Sequence, residues 1–397
     1  MPTVIPPQFS ELAVPQRLLL GPGPANVSAR VQAASLAPLL GHLDPVYLGV
    51  MNDVQAGLRY VFQTGNRTTL SVPGTGSAGM EAALCSLIEQ GDKVVVGVCG
   101  YFGNRLAEVA ERCGAEVIKV ESEWGRPLDA EALRRTCAEQ RPKLLAAVHA
   151  ETSTGVLQSV PPLAAAAHDN GALLLLDTVT SLGGCAVCLD EWGVDAAYSG
   201  SQKCLGALPG LSPVSFSDRA VAAVQARRRP VQSYYLDIPL LERYWSSERM
   251  YHHTAPITLT YALREALRVV IDEGLEARWA RHRRVSDAFR AGIRGLGLGL
   301  LVPEEYHLPQ LTTVMIPDGI DDAMVRKALL ADWNIEIGGG LGPFRGKIWR
   351  VGLMGASCTP TNALTLLAAL SVILHRLGAK IDAGAGQIAA LDVLGHA

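Results

Sequence analysis

Lys203 closes the segment Tyr198-Ser199-Gly200-Ser201-Gln202-Lys203, and upstream of it the apolar run Gly171-Ala172-Leu173-Leu174-Leu175-Leu176 ends abruptly at Asp177. A buried strand that releases an aspartate at its carboxyl end delivers a carboxylate to the crevice where open α/β sheets bind ligands. A lysine in a loop of small, hydroxyl-bearing residues reaches the same crevice. Pyridoxal phosphate needs this pair. The amine forms an imine with its aldehyde, and the acid keeps its ring nitrogen protonated, so that the ring withdraws electrons. Each residue alone has an ordinary alternative, because strand-terminal aspartates are common and most lysines are solvated. Their order, together with a glycine-rich turn earlier in the chain, favours the chemical reading.

That turn is Gly74-Thr75-Gly76-Ser77-Ala78-Gly79, inside "TTLSVPGTGSAGMEAALCSLIEQGDKVVV" at 68–96. The residues before Pro73 are β-branched and apolar and read as a strand. From Ser77 to Gln90 the apolar residues recur at helical spacing, and Gly91-Asp92 is the stop. The turn formally matches G-x-G-x-x-G. A dinucleotide site also requires an acid at the end of the next strand, for the ribose. That strand, Lys93 to Val98, runs into Cys99 and Gly100 with no acid. What remains is a glycine turn that opens a helix. Its free N–H groups and dipole suit one phosphate, with Gly76 and the Ser77 hydroxyl as the contacts. The alternative is that the glycines serve only a tight turn.

The elements that position these residues follow from the pattern. Strand and helix signals alternate from about 68 to 220, and several strands ("VVVGV", "LLAAVHA", "ALLLLD") are nearly continuous apolar runs, as in strands covered on both faces. This predicts a large three-layer α/β domain around a mostly parallel sheet. A long helical segment runs from Ile257 to about Gly295, broken near Gly274. The remainder, from "TTVMIP" to "ALTLLAALSVILHRL", alternates as a smaller α+β domain. The expected organisation is an N-terminal arm (1–20) with little regular structure, a large domain (21–275) and a small C-terminal domain (276–397).

In its motifs the chain resembles the class V, fold-type I pyridoxal-phosphate aminotransferases, and within them the alanine–glyoxylate and serine–glyoxylate (serine–pyruvate) group. The motifs, in order, are "LLLGPGP" at 18–24, "YVFQTGN" at 60–66, "ETSTGVLQ" at 151–158, "SLGG" at 181–184, "YSGSQK" at 198–203, "YYLDI" at 234–238, "MYHHTAP" at 250–256, "GGLGP" at 339–343 and "WRVGLMG" at 349–355. The resemblance implies roles one residue at a time. Lys203 matches the imine-forming lysine and Asp177 the partner of the ring nitrogen. Gln202, Gly76 and Ser77 match phosphate contacts. Phe102 matches the aromatic ring over the cofactor, where several relatives have tryptophan. Thr152 matches a hydroxyl near the phenolic oxygen of the cofactor. Tyr251 and Thr254 match residues that reach the phosphate from a partner subunit, so a homodimer with shared active sites is implied. Arg350 matches the arginine for the substrate carboxylate. It stands between Ile348 and Val351, where a charge is paired or functional, and its planar fork suits a carboxylate. Gly23, in "GPGPAN", belongs to the pocket wall. The small residues there and in "GHLDP" and "GGGLG" favour a small substrate, and a second cationic group for an acidic one is not evident.

Composition bounds the partners. With 49% hydrophobic residues and 18% charged, the chain has material for a large core and a buried interface. Net charge is −3, and the clusters Arg227-Arg228-Arg229 and Arg281, Arg283, Arg284 have no interleaved aromatics, so they read as solvated helix faces and nucleic-acid binding is not expected. His252-His253 are adjacent and lack further ligand spacing, so no metal is expected. Cys185-Ala186-Val187-Cys188 is a lone C-x-x-C, and the eight cysteines read as reduced thiols. No basic-plus-apolar leader opens the chain, no apolar run reaches membrane-spanning length, and Gly395-His396-Ala397 is not an S-K-L-type ending, so a cytoplasmic protein is expected. The implied function is transamination between a small amino acid, alanine or serine, and glyoxylate, giving glycine and a 2-keto acid. The alternatives are serine–pyruvate or another class V transamination and, more remotely, a cysteine desulfurase. A desulfurase needs a loop cysteine ahead of the carboxylate arginine, whereas Cys358 follows Arg350.

Overall fold

In the computed structural model of the protein, residues 6–395 are described, so the first five residues of the expected arm and the ending His396-Ala397 lie outside the described residues. Seven strands form the main sheet: β1 (Thr68–Pro73), β2 (Lys93–Val98), β3 (Glu116–Glu121), β4 (Leu144–Val148), β5 (Leu173–Asp177), β6 (Ala196–Tyr198) and β7 (Leu211–Phe216). Their spatial order is β1-β7-β6-β5-β4-β2-β3. The sheet is parallel except at β7, which runs antiparallel to both β1 and β6. Strands β4 and β5 are buried at every position because helices cover both faces, which explains their unbroken apolar sequences. Edge strand β3 has Glu116, Lys119 and Glu121 in its run, charges that discourage further strand addition. The chain leaves β2 for the edge at β3 and returns beyond β2 to β4. The crevice between the carboxyl ends of β2 and β4 is thus a topological switch point, the place where such sheets bind ligands.

The helices Ile257–Glu273 and Leu275–Gly295 meet at Gly274, whose φ of +80° only glycine adopts without strain. The second helix carries the chain out of the main core, to which Leu275 belongs, into a second core containing Val285, Phe289, Trp349 and Leu370. Three antiparallel strands, β8 (Leu311–Met315), β9 (Gly338–Gly339) and β10 (Ile348–Gly352), form the small sheet in the order β8-β10-β9.

Two features depart from the sequence reading. The end of the arm is not an arm. Leu18–Leu19 pairs in parallel with Ile335–Glu336, Leu20 is fully buried in the second core, and its carbonyl accepts from Gly352 N at 2.8 Å. Leu20 gains roughly 1.5–3 kcal/mol from full burial, with Leu18 and Leu19 half-buried beside it. The second departure is a last helix, Ala383–Gly395, packed along Leu275–Gly295. Its small residues carry little periodicity, so it left no helical signal. It docks because Gly292 and Gly295 let the Ala385–Gly386 backbone approach: a Cβ on Gly295 would lie 2.7 Å from the Ala385 carbonyl oxygen.

Candidate active site

One cavity at the switch point is lined by Gly76, Ser77, Phe102, Thr152, Asp177, Gln202 and Lys203, seven of the residues nominated from sequence. Each arrives from the carboxyl end of a strand or the loop after it. Gly76 and Ser77 follow β1, Phe102 follows β2, Thr152 follows β4, Asp177 ends β5, and Gln202-Lys203 follow β6.

The helix Gly76–Leu87 begins at the cavity, with Thr75 as its N-cap residue and no side chain capping it, so its first N–H groups face the opening. Each glycine of the turn has its own reason. Gly74 has a φ of +130°. A Cβ on Gly76 would lie 3.1 Å from Val179 Cγ2, another lining residue. A Cβ on Gly79 would lie 1.9 Å from Ser212 Oγ, so that glycine lets the helix press onto β7. At the far end of the same helix, Arg227 Nη1 donates to the carbonyls of Cys85, Ser86 and Ile88 at 2.6–3.1 Å. This cation at the helix carboxyl end reinforces the dipole that an anion meets at the other end. Arg227 is therefore a helix cap, not part of a solvated face. Gln202 lies beside the helix start, and its Oε1 is buried without a hydrogen-bond partner.

Asp177 is buried. Its Oδ1 accepts from Val179 N at 2.8 Å and its Oδ2 from the Tyr198 hydroxyl at 2.7 Å. Burial pushes its pKa up to about 6, against the pull of these bonds and of the Lys203 and Arg105 charges. Tyr198 was not nominated. The parallel register sets it opposite Asp177, so the last strand residue of "YSGSQK" was the available signal. Glu151 was also missed. Its Oε2 accepts from Phe102 N and Gly103 N at 3.1 and 3.2 Å, and its Oε1 from Ser153 N and Oγ at 3.0 and 2.6 Å. A carboxylate at the start of the helix Tyr101–Arg112 complements its dipole and holds Phe102 at the cavity wall. One helical turn on, Arg105 also lines the cavity, with its guanidinium 5.1 Å from the centre of the Phe102 ring. The cavity thus has a cation besides Lys203, on the Asp177 side, which the sequence reading did not single out. Its spacing from Phe102 in "CGYFGNR" was the clue.

Lys203 is buried, and its Nζ donates to the Pro22 carbonyl. Burial pushes its pKa down to about 8, helped by the Arg350 charge and opposed by Cys204 and Asp177. Gly23 lies directly against it: a Cβ there would be 2.5 Å from Nζ. Arg350, on β10, does not line this cavity. Its Nε donates to Gly339 O at 2.7 Å and its Nη1 to Thr152 O at 3.3 Å, which ties the small sheet to the loop after β4. Its Nη2 has no protein acceptor among the described residues. Tyr251 and Thr254 are exposed and also stand apart from the cavity. Between them His252 stacks on Tyr234 with ring centres 5.0 Å apart, and its Nδ1 lies 2.8 Å from that of His253.

Residues 42–343 match the family described as aminotransferase class-V. The chain is 42% identical to the (S)-ureidoglycine–glyoxylate transaminase of Bacillus subtilis (strain 168), over 98% of this chain and 97% of that protein. It is 42% identical to the alanine–glyoxylate aminotransferase of Drosophila melanogaster, over 94% of this chain and 96% of that one. The crystal structure of an alanine–glyoxylate aminotransferase from Nostoc sp. superposes with a TM-score of 0.91 at 50% identity, covering 92% of this chain and 97% of that one.

Proposed function

The chain belongs to the class-V aminotransferase family, and we propose that its reaction is pyridoxal-phosphate-dependent transamination between a small amino acid, alanine or serine, and glyoxylate, giving glycine and a 2-keto acid. The observation that carries this reading is the meeting of Lys203, Asp177 and an uncapped helix N-terminus on the walls of one cavity.

The residues fit the cofactor. The open helix start and Ser77 offer donors for a phosphate, and Gln202 lines the cavity beside them, where its side-chain NH2 could donate. Asp177 offers a fixed anion for a ring nitrogen, and Phe102 a ring face. When bound, pyridoxal phosphate supplies an electron sink for the charge left at Cα of the amino acid. Lys203 is suited to carry the Cα proton, since an amine with a pKa near 8 is partly unprotonated at neutral pH. Asp177, held by Tyr198 and Val179 N, keeps a proton on the ring nitrogen. Arg350 orients the substrate carboxylate from the small domain. The small residues around Gly23 favour a short side chain.

The proposal includes a homodimer. It is supported by Tyr251 and Thr254, exposed and apart from the cavity of their own chain, and by the exposed apolar side chains Leu36, Leu39, Val46 and Met250. The desulfurase alternative has no support here, because Cys358 is wholly buried behind the arginine strand. The test is the absorbance of the purified protein in the visible region, followed by a panel of donors with glyoxylate and with pyruvate. The panel includes alanine, serine and (S)-ureidoglycine, the donor named for the Bacillus relative. A colourless protein that takes up no cofactor would overturn the reading.

A further inference from the structure

Two guanidinium groups meet where the chain crosses from the large domain to the small one. Arg278 is 3% exposed. Its Nε donates to Gly183 O at 2.9 Å and its Nη2 to Cys204 O at 2.6 Å, and Cys204 is the residue after Lys203. Arg281, one turn further along the same helix, turns to the other domain. Its Nη1 donates to Gly355 O at 3.0 Å and Cys358 O at 2.7 Å, in the turn that follows the Arg350 strand. Glu273, on the other side of the Gly274 break, joins the two: Oε2 accepts from Arg278 at 2.6 Å and from Arg281 at 3.0 Å, and Oε1 accepts from Arg281 at 2.6 Å. His282 completes the set. Its Nε2 accepts from Gly355 N at 3.0 Å, and its Nδ1 lies 2.8 Å from Arg278 O. The turn and the lysine loop touch directly, since a Cβ on Gly355 would lie 3.5 Å from the carbonyl oxygens of both Lys203 and Cys204.

Well-packed apolar side chains would join two domains without the desolvation cost of buried ions. What the ionic set adds is direction, because each donated bond fixes the position of a particular carbonyl. We infer that Arg278 and Arg281, bridged by Glu273, are positioning residues that hold the lysine loop and the turn after the Arg350 strand at a set separation. Arg278 acts on the Lys203 side and Arg281 on the Arg350 side. The inference rests on the transaminase reading for its kinetic consequence, but the physical coupling does not depend on it.

The test uses Arg278→Met, Arg281→Met and the charge-keeping Arg278→Lys and Arg281→Lys. A lysine retains the charge but cannot bridge two carbonyls and a carboxylate, so the Lys variants serve where a Met variant does not fold. In the cofactor-free protein, amide hydrogen exchange is followed by peptide. Arg281 variants are expected to speed exchange more in residues 353–358 than in 203–207, and Arg278 variants to do the reverse. In the holoenzyme, Arg281 variants are expected to raise KM for the donor amino acid about five-fold or more with kcat nearly unchanged. Arg278 variants are expected to move the pH midpoint of the visible band instead, by about half a unit or more. Equal loosening of both segments by both variants, or a fall in melting temperature alone with KM and the midpoint unmoved, would overturn the inference. A wild-type protein without a visible band would fault the transaminase reading and leave the exchange experiment to decide this one.

Discussion

The Tyr198 hydroxyl donates to Oδ2 of Asp177 at 2.7 Å, and the parallel register of β5 and β6 sets the two residues side by side. The carboxylate is therefore oriented by a neighbouring strand as well as by the loop that follows its own strand. Burial alone would favour the protonated acid, so the phenol is needed to keep the anion that a ring nitrogen requires. Asp177→Asn is expected to bind pyridoxal phosphate but to slow loss of the Cα proton by orders of magnitude in single turnovers. Tyr198→Phe removes one bond to a charged group, about 1.5–3 kcal/mol, and is expected to slow the same step by roughly ten- to a hundred-fold. Half-reaction rates near wild type in Asp177→Asn would exclude this role.

Lys203→Ala is expected to abolish turnover and leave the fold intact, with loss of the visible band. Borohydride reduction of the wild-type holoenzyme, followed by peptide mapping, is expected to label Lys203. Labelling of any other lysine would show the assignment to be wrong.

The same variant makes a prediction about pH in the cofactor-free protein. Folded Lys203 loses its proton near pH 8, whereas the unfolded chain keeps it to about pH 10.5. Between those values the unfolded chain binds more protons, so this group makes stability rise with pH across the window. Asp177 acts in the opposite sense lower down. Its pKa is about 6 folded and 3.8 unfolded, so stability falls as pH rises between them. Urea unfolding at a series of pH values checks both. Lys203→Ala is expected to lose the rise between about pH 8 and 10.5 and to keep the fall at lower pH. An unchanged alkaline slope would show that the buried amine is not its source.

Gly76→Ala places a methyl group 3.1 Å from Val179 Cγ2, another residue lining the cavity. Because φ at Gly76 is not in the left-handed region, the helix itself should tolerate alanine. The variant is expected to keep its melting temperature as apoprotein and to bind pyridoxal phosphate more weakly, measured by quenching of protein fluorescence. Equal affinity would remove this helix start from the phosphate site.

Complementation tests the shared site. A Lys203→Ala chain and a chain carrying both Tyr251→Ala and Thr254→Ala are unfolded and refolded together. If the two exposed residues serve the partner's cavity, each mixed dimer has one site with both lesions and one with none. About a quarter of wild-type activity is then expected in a random mixture, half the dimers each having one good site of two. No recovery above the parent variants, with mixed dimers shown to be present, would rule out sharing.

Much of this architecture was legible because its signals are local. Near-continuous apolar runs marked β4 and β5, and the acid at the end of β5 stood out against leucines. Gly274 announced the helix break through the backbone freedom it alone provides. What escaped was set by contacts distant in sequence. Tyr198 matters because of a register, Glu151 because a helix from another strand begins on its carboxylate, and Arg227 because it caps a helix far up the chain. Leu18–Leu20 read as the end of an arm because their partners are more than three hundred residues away.

Leu18–Leu19 are synthesised more than three hundred residues ahead of their partners Ile335–Glu336. At 5–20 residues per second the leading strand waits roughly 15–60 s with three leucines uncovered. The carbonyl that receives the Lys203 amine, that of Pro22, lies on the same waiting segment. A nascent chain stalled short of residue 335 should expose a sticky leader, open to proteolysis or capture, that full-length protein conceals.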